Sequence, residues 1–241
     1  MPKKVTILGV PVDAITMGEA VARIDSFIEK RTPVLVATAN AEMLMRATHD
    51  GALRRILQGA AMVTPDGAGT VWAAHHLGHA MPERVAGYDL AQELMRRAPE
   101  KKRRIFFFGS APGVAELAKK KAESLYPGIE IVGTRNGFFS EKDEPEIIEN
   151  IRRAKPDLLL AALGVPKQEK WLYKHQKELG VPVSIGVGGT LDVMAGVMKR
   201  APRWMQKAKL EWLFRGMLQP KRAGRLMALP KFVLKVHHAK K

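Results

Sequence analysis

The 241-residue chain contains no cysteine, which removes disulfides, thiolate nucleophiles and cysteine metal sites together and fits a reducing compartment. It has no run of 18 consecutive apolar residues, so no segment reads as a transmembrane helix. The apolar stretch within Met1 to Val12 is too short for a signal-peptide core. Several chemical signatures are missing as well. There is no H-E-x-x-H, no carboxylate cluster at ligand spacing and no G-x-S-x-G elbow. No two aspartates stand two residues apart, so the Asp-x-Asp motif with which many sugar transferases hold Mn or Mg is absent. His75, His76 and His79 lie near one helical face, and the other histidines are scattered. Neither a metal nor a cofactor is therefore expected.

Acidic residues are scarce in one place only. From Lys199 to Lys241 there are 13 Lys or Arg against a single acid, Glu211, whereas the first 198 residues hold 27 basic and 23 acidic residues. Most of the net charge of +16 thus sits in the last 43 residues. Such a segment seeks a polyanion: anionic lipid, nucleic acid or a diphosphate. Leu226, Leu229, Phe232, Val233 and Val236 would share one helical face, with Lys231 and Lys235 opposite and Pro230 kinking or interrupting the helix. A basic amphipathic helix of this kind reads as membrane-interfacial; a helix packed on the core is the alternative, and the two are compatible.

Before the tail, short β-rich runs alternate with helical patterns, the mark of a parallel sheet covered on both faces. Strands are expected at 5–8, 34–37, 61–64, 105–108, 129–132, 158–162 and 183–187, and helices at 18–29, 41–48, 88–97, 113–125, 144–154 and 167–178. The stretch from Ile7 to Val12 could equally form a small hairpin ahead of the sheet. The fold class is α/β: an open, mostly parallel, Rossmann-like sheet flanked by helices, with a basic helical C-terminal appendage.

Ligands of such sheets bind at the carboxyl edge, where loops lead into helix N-termini that favour anions. Thr38, Asn40, Thr64-Pro65-Asp66-Gly67, Gly109-Ser110-Ala111-Pro112-Gly113, Gly164 to Gln168 and Gly186 to Thr190 all fall at those edges. Gly109, Ser110, Gly188 and Gly189 are candidates for a nucleotide, because glycine lets backbone approach a phosphate closely. Neither glycine loop fits the dinucleotide fingerprint or the P-loop. Asp66 is the candidate general base, with helix capping as its alternative role. Thr38, Asn40, Arg84 and Gln168 surround it as groups able to orient a sugar. Without a metal, helix N-termini and arginines must neutralise a departing diphosphate, which makes Arg215, Arg222 and Arg225 candidates.

Five ordered motifs now define a resemblance: Asn40-Ala41-Glu42-Met43; Thr64-Pro65-Asp66-Gly67-x-Gly69; Arg84-Val85-x-Gly87-x-Asp89-Leu90; Gly164-Val165-Pro166-Lys167-Gln168-Glu169; and Gly186-Val187-Gly188-Gly189-x-x-Asp192. Together they resemble the WecG/TagA/CpsF glycosyltransferases of bacterial envelope polymer synthesis, most closely the wall teichoic acid branch, from about residue 5 to 225. The resemblance implies metal-free, inverting transfer of N-acetylmannosamine from UDP to N-acetylglucosamine on undecaprenyl diphosphate. It implies Asp66 as base, Thr38, Asn40 and Gln168 lining the sugar pocket, and Arg84 near the sugar or its phosphates. It also implies a catalytic domain over 1–198 and an appendage over 199–241, whose Arg215, Arg222 and Arg225 meet the diphosphate at an anionic membrane surface. The expected partners are a UDP-amino sugar, a lipid-linked diphosphate acceptor and the inner face of the cell membrane, with self-association possible and no nucleic acid. Two rivals stand beside this reading. A nicotinamide-dependent oxidoreductase is supported by fold class alone and lacks its fingerprint. A polyanion-binding protein would explain the tail but not the polar residues along the sheet edge.

Overall fold

The computed structural model describes residues 3–207, 211, 213–214 and 228–239. Six strands form one parallel sheet: β3 (Val34–Ala39), β4 (Met62–Pro65), β5 (Arg104–Gly109), β6 (Glu130–Arg135), β7 (Leu158–Ala162) and β8 (Val183–Gly186). Their spatial order is β4-β3-β8-β7-β5-β6. The runs at β7 (Leu158-Leu159-Leu160-Ala161-Ala162) and β5 (Ile105-Phe106-Phe107-Phe108) do not alternate with polar residues because both sheet faces are covered, as parallel strands require.

The first two strands, β1 (Lys4–Ile7) and β2 (Val10–Asp13), stay outside this sheet as an antiparallel hairpin. The hairpin alternative therefore holds, and 5–8 is not a strand of the main sheet. Leu8 and Gly9 take positive φ at its turn. The hairpin is tied down by Asp13, which is fully buried. It accepts from the Arg23 guanidinium at 2.8 Å and from the Val63 N–H of β4 at 2.8 Å.

On one face of the sheet lie α1 (Met17–Lys30), α5 (Gly87–Lys101), α6 (Val114–Leu125) and α9 (Thr190–Met194), packed through Ile24, Leu90, Leu94, Ala118 and Leu191. Helix α1 starts at a capping box, in which Thr16 and Glu19 satisfy each other's backbone N–H groups. The opposite face carries α2 (Ala41–Ala47), α3 (Gly51–Gly59), α4 (Ala68–His76), α7 (Glu144–Ala154) and α8 (Lys167–Leu179).

Beyond the short α10 (Arg203–Lys207), the tail ends in α11 (Ala228–His238). Phe232 and Val236 are 1% and 0% exposed and enter the cluster formed by the hairpin, α2 and α4, so this helix does pack on the core. Two details correct the expectation. Pro230 neither kinks nor interrupts the helix, because it occupies the first turn, where no intrahelical N–H is needed. Val233 is 44% exposed, so the buried face is narrower than the apolar pattern implied. Leu226 lies outside the described residues. Among the described residues, no helix is long and apolar enough to cross a membrane.

Candidate active site

The strand order lays the candidate loops in a line along the carboxyl edge. Asp66 follows edge strand β4; Thr38 and Asn40 come from β3; the Gly186–Gly189 loop follows β8, Gly164–Gln168 follows β7, and Gly109–Gly113 follows β5. Each of these loops opens a helix. At roughly 4.8 Å per strand, Asp66 and the Gly109 loop stand about 19 Å apart, a span suited to an elongated ligand.

Asp66 is held by backbone and side chain alike. Its N–H donates to Ala39 and Thr64 carbonyls, both at 3.0 Å. Its own carbonyl accepts from the Thr70 hydroxyl, which also bonds Ala39 O. Its carboxylate accepts from the Gly87 N–H at 3.3 Å, at the first turn of α5. The capping alternative for Asp66 fails at its own helix, because the residue before α4 is Gly67, with no side-chain capping bond. The carboxylate instead sits at the N-terminus of α5, where the helix dipole favours an anion. Gly87 packs closely on Thr38: a Cβ there would meet that side chain at 3.0–3.2 Å, and Thr38 would have to give by a few tenths of an ångström. Thr38 is buried and donates to the Gly186 carbonyl at 2.9 Å. Asn40 caps α2 through Oδ1, which accepts from Met43 N–H at 2.9 Å, so its amide NH2 is the group it can offer a ligand. Asp66, Thr38 and Asn40 thus converge at one corner.

Arg84 belongs to an ion network in the same corner. It donates to Glu211 at 3.1 Å and to Asp89 at 3.4 Å. Arg200 pairs with Asp89 at 2.7 Å, lies 3.5 Å from Glu211, and rests over the Tyr88 ring at 4.4 Å. Burial pulls the Arg200 charge down, yet its bonds to Asp89 and the nearby Glu211 outweigh this and hold it above the ordinary value. Burial likewise pushes the Tyr88 hydroxyl up. Gly87, Tyr88 and Asp89, three successive residues of α5, therefore touch Asp66, Arg200 and Arg84. Arg200 and Tyr88 were not singled out from the sequence. Arg200 was one base among thirteen in the tail, and nothing local told it from its neighbours. Arg215, Arg222 and Arg225 lie outside the described residues.

The other end of the edge is glycine-lined. Gly109, at φ 131°, has the Ala162 backbone where a Cβ would be, at 2.4 Å, so no other residue fits. Ser110 also has positive φ, and its N–H donates to Ala162 O. Its hydroxyl oxygen is buried without a hydrogen-bond partner among the described residues. Gly188 donates its N–H inward to Gln168 at 3.1 Å, so it offers a ligand close approach rather than a donor. Gly189 immediately precedes α9.

Gln168 is 1% exposed and engaged at both ends: Oε1 accepts from Gly164 and Gly188, and Nε2 donates to Glu169 at 2.7 Å. It joins two loops from beneath. Glu169, part of a quoted motif but given no role from sequence, is wholly buried, and desolvation pushes its carboxyl up to about 7. Beyond β6, Phe138 is 70% exposed on a loop that Gly137 N–H ties to Ser110 O at 2.9 Å. Lys167 braces this loop, lying 3.9 Å from the Phe139 ring centre and donating to Gly137 O. Among the described residues, no three His, Asp or Glu side chains gather at metal-ligating range.

Comparison with known proteins places the sequence among glycosyltransferases. The sequence profile described as "Glycosyl transferase WecG/TagA/CpsF family" matches residues 5–241. An N-acetylglucosaminyldiphosphoundecaprenol N-acetyl-beta-D-mannosaminyltransferase of Staphylococcus aureus (strain NCTC 8325 / PS 47) is 34% identical over 240 residues, covering 99% of this chain and 94% of the relative. A protein of the same name from Bacillus subtilis (strain 168) is 36% identical over 210 residues, covering 87% and 81%.

Proposed function

The chain belongs to the WecG/TagA/CpsF glycosyltransferase family, and from that premise we propose that it transfers N-acetylmannosamine from UDP to N-acetylglucosamine on undecaprenyl diphosphate, the wall teichoic acid linkage-unit step. The relatives' names carry the acceptor and the sugar; UDP as carrier is part of the proposal. The observation that carries the mechanism is Asp66: a carboxylate pinned at the start of α5, in one corner with Thr38, Asn40 and Arg84.

In this reading Asp66 takes the proton of the acceptor hydroxyl as that oxygen attacks the anomeric carbon from the face opposite the diphosphate. The configuration inverts and UDP leaves. Thr38 and Asn40 border the sugar, and Gln168 shapes the floor between sugar and diphosphate. Gly109, Ser110, Gly188 and Gly189 allow the nucleotide close to backbone, and the exposed Phe138 ring supplies a stacking face for the base. Arg84, now balanced by Asp89 and Glu211, and Arg215, Arg222 and Arg225 of the tail neutralise the leaving diphosphate in place of a metal. The enzyme works from the inner membrane face, where its lipid acceptor lies.

The test is Asp66→Asn, which preserves size and the bond from Gly87 N–H but cannot take a proton. A positioned general base is worth about 10²–10⁴ in rate, so kcat falls by that factor while UDP affinity is retained. Near wild-type turnover in the folded variant would remove Asp66 from the role.

A further inference from the structure

We propose that Glu169 is a positioning residue for the nucleotide donor: through Gln168 it fixes the loops after β7 and β8, between which the diphosphate lies. This rests on the reading of the carboxyl edge as a nucleotide-sugar site.

A glutamine amide is nearly symmetric in shape, its oxygen and nitrogen ends being about the same size. At Gln168 the two ends face opposite demands. Two backbone N–H groups, of Gly164 and Gly188, converge on one end at 3.1 Å each and require an oxygen. Glu169 Oε1 meets the other end at 2.7 Å and accepts there, as an ionised carboxyl can only do. A flipped amide would set NH2 against two N–H groups and oxygen against a carboxylate. Glu169 therefore selects the one orientation that binds both loops.

The pair is packed tightly against the sheet. A Cβ on Gly186 would lie 2.6 Å from Gln168 Nε2 and 2.9 Å from Glu169 Oε1, so both side chains rest directly on the β8 backbone. The Gly186 carbonyl accepts from Thr38, which packs on Gly87, whose N–H holds Asp66. The pair thus sits in the same chain of contacts that fixes the base.

Stability does not account for an acid here. Glu169 is wholly buried, and its Oε2 has no hydrogen-bond partner among the described residues. A buried carboxylate with an unsatisfied oxygen costs folding free energy, which its single bond from Gln168 offsets only in part. Burial also holds the acid near neutrality, the behaviour of groups kept for a site rather than for the fold.

The experiment is calorimetric titration of UDP into wild type, Glu169→Gln, Glu169→Leu, Gln168→Glu and the exchange Gln168→Glu/Glu169→Gln, each with a thermal melt. Glu169→Gln keeps an acceptor for Gln168 and binds UDP within about threefold of wild type. Glu169→Leu removes it and binds at least about tenfold more weakly, while relief of the buried charge offsets the stranded Gln168 N–H and keeps the melting temperature near wild type, a split that a merely structural role would not produce. Gln168→Glu alone opposes two carboxylates and weakens UDP binding. The exchange restores the pattern with donor and acceptor reversed, and regains at least about tenfold over that single variant. Wild-type affinity in Glu169→Leu, or an exchange no better than Gln168→Glu, overturns the proposal. If Glu169→Leu does not fold, the exchange decides. Failure of wild type itself to bind UDP would instead overturn the nucleotide reading, and this inference with it.

Discussion

The buried Glu169 carboxyl that orients Gln168 also sets a pH dependence. Burial raises its carboxyl from the ordinary 4.5 to about 7, so the folded protein prefers the neutral acid. Below pH 4.5 both folded and unfolded forms are protonated and no penalty exists. As pH rises to 7 the unfolded chain ionises first, and stability is lost until the folded acid ionises too. Glu169→Gln does not titrate. Its melting curve should gain on wild type between pH 4.5 and 7, by up to about 3 kcal/mol, and run parallel above. Parallel curves throughout would show that this carboxyl is not desolvated. Asp66 could be picked from its place between a buried strand and a probable helix, but local sequence left base and cap as equals. The contact that separates them, to Gly87, is 21 residues away, and no local pattern contains it. Gln168 was legible as a polar residue at the edge, whereas its inward bonds depend on β7 and β8 being neighbours.

Elements with strong periodicity were readable: 144–154 is matched end to end, and the helices at 17–30 and 167–179 to within a residue. Helix α3 was not, because it begins at Gly51 and ends at Gly59, residues that argue against a helix. It forms because Asp50 accepts from the Leu53 N–H and because Leu53, Ile56 and Leu57 are buried. Helix α9 has five residues, too few for a period to show. The hairpin is the element on which the base depends most directly, since Asp13 links β2 and α1 to Val63, three residues before Asp66. Asp13→Ala strands the Val63 N–H and removes the carboxylate facing a partly buried guanidinium, which keeps its bond to Ala61 O. It should cost about 2–4 kcal/mol in denaturant unfolding. A loss below about 0.5 kcal/mol, the size of an ordinary surface change, would mean the hairpin is held by its apolar face alone.

For the whole molecule, alternation of strand and helix disclosed a parallel sheet but not its order. That β8 and β7 lie between β3 and β5 is what spreads the candidate base, sugar and nucleotide groups along one edge. The uneven charge was plain from the sequence. The structure adds that α11 buries Phe232 and Val236 while Lys231, Val233, Leu234 and Lys235 remain exposed. Deleting 199–241 would therefore remove core side chains together with charge, and is a poor probe of membrane contact. Replacing Lys231 and Lys235 by alanine is cleaner. At about 1 kcal/mol per basic residue near an anionic bilayer, the double variant should bind phosphatidylserine vesicles roughly thirtyfold more weakly. Unchanged co-sedimentation would take α11 out of the membrane-contacting surface.

The central claim, a transfer carried by side chains and helix N-termini without a metal, is tested most directly by UDP release. Purified protein is given UDP-N-acetylmannosamine, with and without a lipid-diphosphate N-acetylglucosamine acceptor, and with and without EDTA. Release should require the acceptor, be unchanged by EDTA and yield a β-linked disaccharide. Release abolished by EDTA and restored by a divalent cation would contradict the metal-free mechanism, and no release with any UDP-sugar would contradict the transferase reading as a whole.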